Sequence, residues 1–195
     1  MYERRVFTRL LAVARMHSRL ISTLSHLGQT GEAHMVDVGS KTPTFRKAVA
    51  EATVRIGDRS VFDALIGGHL RKGDAFAVAR IAGILGAKHT SALIPLCHPA
   101  LPLDSIHVEL QPDAQSLSVR VLAEVSVTAR TGVEMEALTG AATAALALYD
   151  MCKSGFKANS VPPGNKLAIQ NIMVLAKEKR TSDERMPEPH PANVE

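Results

Sequence analysis

The chain predicts an α+β fold, an antiparallel sheet with helices packed on one face. Three observations carry this. Two strand-like runs, Ser105–Leu110 and Leu117–Thr128, are joined by the turn-forming QPDAQS, a hairpin signal. Helical patterns fall between strand-like runs without the regular βαβ repeat of a parallel sheet. Thr131–Lys153, TGVEMEALTGAATAALALYDMCK, reads as one long helix, small and apolar on every side between Met135 and Tyr149 apart from Glu136.

The elements follow in order. Residues 1–30 form an extension that is Arg-rich and acid-poor, with Arg4, Arg5, Arg9, Arg15 and Arg19 against Glu3 alone. A mitochondrial transit peptide has this composition, which would place the protein in the mitochondrial matrix. A disordered basic arm or a gene-model extension are the alternatives, and either would leave a cytoplasmic protein. The folded domain is expected over 31–178. Val36 and Val38 alternate with Asp37 and lead into the loop GSKTPTFRK. Lys47–Ile56 alternates as a strand. Ser60 is placed to cap the short helix VFDALI, ended by Gly67-Gly68. Asp74 caps a longer helix, AFAVARIAGILGAKHTSALI, which stops before Pro95. The loop PLCHPALPLD and the hairpin follow. In the long helix Thr131 and Glu134 match a T-x-x-E capping box. A helix apolar all round is expected to be buried on all faces. AIQNIMVLAK is the last strand, and 179–195 is a polar, Pro-containing tail expected to be disordered.

Composition narrows the function. At 195 residues one domain with a substantial core is expected. Aromatics are 4% with no Trp, which argues against base-stacking platforms. The net charge of +4 gathers near the N-terminus and makes no basic stripe, so nucleic acid is not an expected partner. Ala137–Tyr149, the longest uncharged run, is too short to span a bilayer. Cys97 and Cys152 make no disulfide framework, and no metal-ligand spacing appears.

Polar islands in apolar surroundings are the candidates for chemistry: His34 and Asp37; Lys72; Cys97 and His98; Glu134 and Glu136; Asp150 and Lys153. Each also has a structural reading. Lys72 reads as a solvated loop lysine and Cys97-His98 as a buried thiol beside a bonded core histidine. Glu134 reads as half of the capping box, and Asp150 with Lys153 as an i,i+3 ion pair. Prolines on both sides of Leu96-Cys97-His98 hold that loop rigid, which favours a site. Lysines near carboxylates and a histidine can bind phosphates and move protons. Glu136 and Asp150 lie fourteen residues apart, roughly 21 Å along one helix. A small substrate cannot touch both ends, so one site using both needs two subunits.

HMVDV, KGD, ARIAGILGAK, LIPLCHP, TGVEMEALT and LYDMCK, in this order, resemble the cyclic pyranopterin monophosphate synthase (MoaC-type) family of molybdenum cofactor biosynthesis. The resemblance runs from about Gly31 to Lys153. It implies a ferredoxin-like α+β fold and a hexamer, a trimer of dimers with interfacial active sites. It implies a lyase that rearranges 3′,8-cyclo-7,8-dihydro-GTP into cyclic pyranopterin monophosphate with release of pyrophosphate. An upstream radical SAM enzyme would supply the substrate. By motif, Asp150, Lys153, Lys72 and His98 would be catalytic. Leu96, Cys97, His98, Met135, Glu136, Glu134 and Arg46 would bind substrate. No resident metal or cofactor is implied, with Mg²⁺ possible on the substrate phosphates.

After Lys153 the chain departs from the pattern. SGFKANSVPPGNKLA is longer than the family's connection. Lys177 matches a family lysine, but EKRTSDERM stands where a glycine-rich loop is expected. Reduced substrate affinity is the expected consequence, and a Michaelis constant no higher than that of a relative with the loop intact would refute it. This divergence also motivates an alternative reading, an impaired subunit acting as an oligomeric binding or scaffold protein. A third, an unrelated nucleotide-binding module, would lack the dense motif match.

Overall fold

The computed structural model describes residues 32–156 and 167–181. The N-terminal extension, most of the connection after Lys153 and residues 182–195 lie outside the described residues. Strand β1 (Thr44–Arg55) is followed by helices α1 (Arg59–Ile66), α2 (Ala75–Lys88) and α3 (Thr90–Leu93). Then come β2 (Ser105–Asp113), β3 (Ser118–Ala129), α4 (Glu134–Lys153) and β4 (Ala168–Arg180). The sheet order is β2-β3-β1-β4, with every pairing antiparallel. This is the β-α-β-β-α-β arrangement of ferredoxin-like folds that the resemblance implies.

Alternation builds the core. Ala48, Ala50, Ala52 and Val54 of β1 and Val119, Val121, Ala123, Val125 and Val127 of β3 turn inward and are buried. α4 covers them, and α2 lies against α4 through small residues. A methyl group at Gly83 would meet Ala144 Cβ and the Gly140 carbonyl at 3.0 Å, and one at Gly86 would meet Thr143 Oγ1 at 2.4 Å. The helices approach this closely because those positions carry no side chain.

The element ends differ from expectation in instructive ways. β1 begins at Thr44, so TFRK is strand rather than loop, because Thr44 and Phe45 pair with Ala129 and Thr128 of β3. Asp58, not Ser60, caps α1, accepting from the amides of Ser60 and Val61. Asp74 does cap α2, through the Ala77 amide. The helix is then interrupted at His89, and Ile94 turns extended ahead of Pro95. The hairpin turn is narrower than QPDAQS, since Gln111, Pro112 and Asp113 stay in β2. Lys179 and Arg180 belong to β4 rather than to a tail.

The expectation of an α4 buried on all faces fails within one protomer. Leu146 is 60% exposed, and on neighbouring α2 Val78, Ile81 and Leu85 are exposed as well. Among the described residues the sheet and α2 cover two sides of α4, and no third layer covers these side chains.

Candidate active site

The predicted residues separate into two clusters, one at each end of α4. At its N-terminal end a cavity of about 330 Å³ is lined by Leu96, Cys97, His98, Glu134, Met135 and Glu136, with Val36, Val38, Lys41, Leu101, Thr131 and Gly132. The rigid Pro95–Pro99 loop supplies the first three residues and the first turn of α4 the next three. Leu96 and Met135 are exposed there, so the cavity has apolar walls. His98 Nε2 donates to the carbonyl of Val36 at 3.2 Å. A carbonyl only accepts, so Nε2 carries the proton, and Nδ1 of the neutral ring is left as an acceptor.

Glu136 is 6% exposed. Burial pushes its carboxyl above the ordinary range, and the nearby Glu134 adds to the rise. Burial likewise pushes the Cys97 thiol up, helped by Glu136. Both effects favour the neutral thiol, so Cys97 serves as a wall of the cavity. Because the Glu136 pKa is raised on folding, ionising it weakens the fold as pH rises through that value. Below its unfolded value no cost arises. Glu136→Gln is expected to raise the melting midpoint at pH 8 by on the order of 2–4 °C, for about 1 kcal/mol of relieved charge burial. The gain should vanish at pH 4. Thermal melts at the two pH values check this, and equal gains at both would contradict it.

The capping box does not form. Val133 is the N-cap residue, no side chain caps the helix, and Thr131 lies two residues too early. Val133 is itself 1% exposed, so its burial sets where the helix starts. Glu134 instead points back over Gly132 and pairs with Lys177 Nζ at 3.4 Å. A second cavity of about 240 Å³ shares Gly132 and Glu134 with the first and is lined by Arg46, Lys47, Lys177, Glu178 and Lys179. Arg46 thus joins the N-terminal cluster. Lys41, Lys47 and Lys179 reach the cavities without having been singled out from sequence. His34 and Asp37 stay outside them, and Asp37 is spent on a turn, accepting from the Gly39 amide at 2.8 Å.

At the other end of α4, Asp150 holds two lysines. Lys72 Nζ lies 2.6 Å from Asp150 Oδ2 and donates to its backbone carbonyl at 2.8 Å. Lys153 Nζ lies 2.5 Å from Oδ1. Hydrogen bonds from Lys153 and then Lys72 lower the Asp150 carboxyl to about 2. Asp150 in turn raises Lys153 above its ordinary value. Lys153 is thereby held as an ammonium, suited to donate a proton or bind an anion. Among the described residues no three His, Cys, Asp or Glu side chains converge as a metal cage, and no helix is long and apolar enough to cross a membrane.

Both clusters lie within a region shared with known proteins. The sequence matches the MoaC family over residues 35–192. A protein of Herpetosiphon aurantiacus is 52% identical over 131 residues, covering 67% of this chain and 79% of its own. One of Dinoroseobacter shibae is 51% identical over 139 residues, covering 71% and 86%. One of Pelotomaculum thermopropionicum is 49% identical over 134 residues, covering 69% and 78%. All three are named cyclic pyranopterin monophosphate synthase. By this match over most of its length, the chain belongs to the MoaC family.

Proposed function

We propose that this chain is a cyclic pyranopterin monophosphate synthase, a lyase of molybdenum cofactor biosynthesis that converts 3′,8-cyclo-7,8-dihydro-GTP to cyclic pyranopterin monophosphate and pyrophosphate. The observation that carries this reading is the completeness of both clusters around α4. The Leu96–His98 loop and the Glu134–Glu136 turn share one cavity, while Lys72, Asp150 and Lys153 form one ion triad. Nothing favours the scaffold alternative.

In this reading the flat ring system of the substrate lies between Leu96 and Met135. Glu136 and His98 Nδ1 take or return protons during ring opening and pyran formation. Lys72 and Lys153 bring positive charge to the reacting phosphate and donate the proton that the departing group needs. Mg²⁺, where it takes part, enters on the substrate phosphates.

The two clusters are the opposite ends of a twenty-residue helix. We therefore propose that each complete site joins the His98–Glu136 end of one subunit to the Lys72–Lys153 end of another, within a hexamer built from dimers. The uncovered patch of Val78, Ile81, Leu85 and Leu146 supports an assembly, since apolar area of this kind is stabilised by burial against another chain.

The direct experiment supplies 3′,8-cyclo-7,8-dihydro-GTP, the product expected of an upstream radical SAM enzyme, to the purified chain. Pyrophosphate and cyclic pyranopterin monophosphate should appear in equal amounts. A folded protein that releases neither refutes the proposal.

A further inference from the structure

We infer that Lys179 is a specificity-determining residue: with Arg46 and Lys177 it lines the cavity at the start of α4 that receives the polyphosphate part of the substrate. This rests on the function proposed above.

The inference starts from the inward face of the sheet. Register places Val125, Ala48 and Lys177 in one row across β3, β1 and β4, and Val127, Arg46 and Lys179 in the next. Further along the same face the β1 and β3 positions are alanine and valine, buried under the helices. Cations therefore appear on the core face where the sheet runs out to the start of α4. Lys177 is 73% exposed and Lys179 is exposed as well, so these cations stay open to solvent and to an anion entering the cavity.

Their own partners leave this positive charge largely unmatched. Arg46 donates to Thr44 Oγ1, a neutral oxygen, at 2.8 Å. Lys177 reaches Glu134 only at 3.4 Å. Glu178, the other acid lining the cavity, is taken by Arg180, and Lys179 has no carboxylate partner among the described residues. Lys47 is already paired, with Glu124 at 2.7 Å.

The cavity also connects to the catalytic one. Gly132 and Glu134 line both, so a ligand seated against His98 and Glu136 can extend past Gly132 toward Arg46 and Lys179. A Cβ on Gly132 would lie 2.0 Å from Glu134 Oε2, so the carboxylate rests directly on the glycine at this threshold. There Glu134 occupies the place of an anion, and a phosphate with more charge displaces it from Lys177.

The test measures binding of inorganic tripolyphosphate to the full chain by calorimetry, then substrate kinetics. Lys179→Ala should weaken tripolyphosphate on the order of 10-fold, Lys179→Arg should restore most of it, and Glu134→Gln should tighten it by removing the competing carboxylate. Arg59→Ala removes the same charge from an exposed position on α1 and should change nothing. In turnover, Lys179→Ala should raise KM and leave kcat near wild type. The inference is overturned if wild type does not bind tripolyphosphate, if Lys179→Ala weakens it no more than Arg59→Ala, or if KM does not move. Lys179-dependent binding by a chain that turns over no substrate would instead refute the proposed function and keep the anion cavity.

Discussion

Lys153→Ala is expected to lower turnover by ~10²–10⁴-fold, the range of a lost acid–base group, with little change in thermal midpoint. Lys153 is half exposed and its one ion pair lies on the surface, so the fold does not depend on it. What depends on it is charge. Asp150 Oδ1 sits 2.5 Å away and raises the ammonium above its ordinary 10.5, so Lys153 is cationic throughout the neutral range. Two consequences separate a working ammonium from a bystander. A raised pKa means that the pair's contribution is present below 10.5 and is lost only as pH climbs through the folded value. The alkaline limb of the wild-type kcat profile should therefore lie above that pH. Asp150→Asn removes the first cause of the rise, and the limb should move to lower pH. A Lys153→Ala enzyme of near-normal kcat, or a limb unmoved by Asp150→Asn, would sink the assignment.

How far the sequence alone reaches is clearest at α4. Its apolar run and the charges at its ends place the helix within a few residues, and the 1.5 Å rise separates Glu136 from Asp150 before any coordinates are consulted. The start is misread because a T-x-x-E pattern looks local, whereas burial of Val133 decides where the first turn lies. The Pro-bounded loop announces Cys97 and His98 because rigidity and chemistry coincide in one short stretch. Lys179 gives no such signal. Two register shifts in the β1–β4 pairing, between Val49 and Ala50 and between Glu51 and Thr53, cancel in facing, so alternation from Ile169 still reaches Lys179. What alternation along β4 cannot show is that Lys179 comes to lie opposite Arg46 beside the Glu134 cavity. The pairing of Lys72 with Asp150, 78 residues apart, is likewise a product of the packed fold.

Two inactive variants should rescue one another when mixed. Glu136→Ala damages the cavity at one end of α4 and Lys153→Ala the triad at the other, and one subunit cannot bring both ends to one small substrate across roughly 21 Å. In a dimer with two-fold symmetry each site takes one end from each subunit. A mixed dimer then carries one site with both lesions and one with neither. Random exchange makes half of the dimers mixed, so activity should return to about a quarter of wild type from two nearly dead parents. Co-expression with different affinity tags isolates the mixed species, which should show about half of wild-type activity per dimer. No single-protomer site gives this result, because each subunit would keep its own lesion. Mixed dimers verified by mass and still inactive would show that the two ends of α4 do not meet across a subunit boundary, and Lys72, Asp150 and Lys153 would then need a role apart from the His98 cavity.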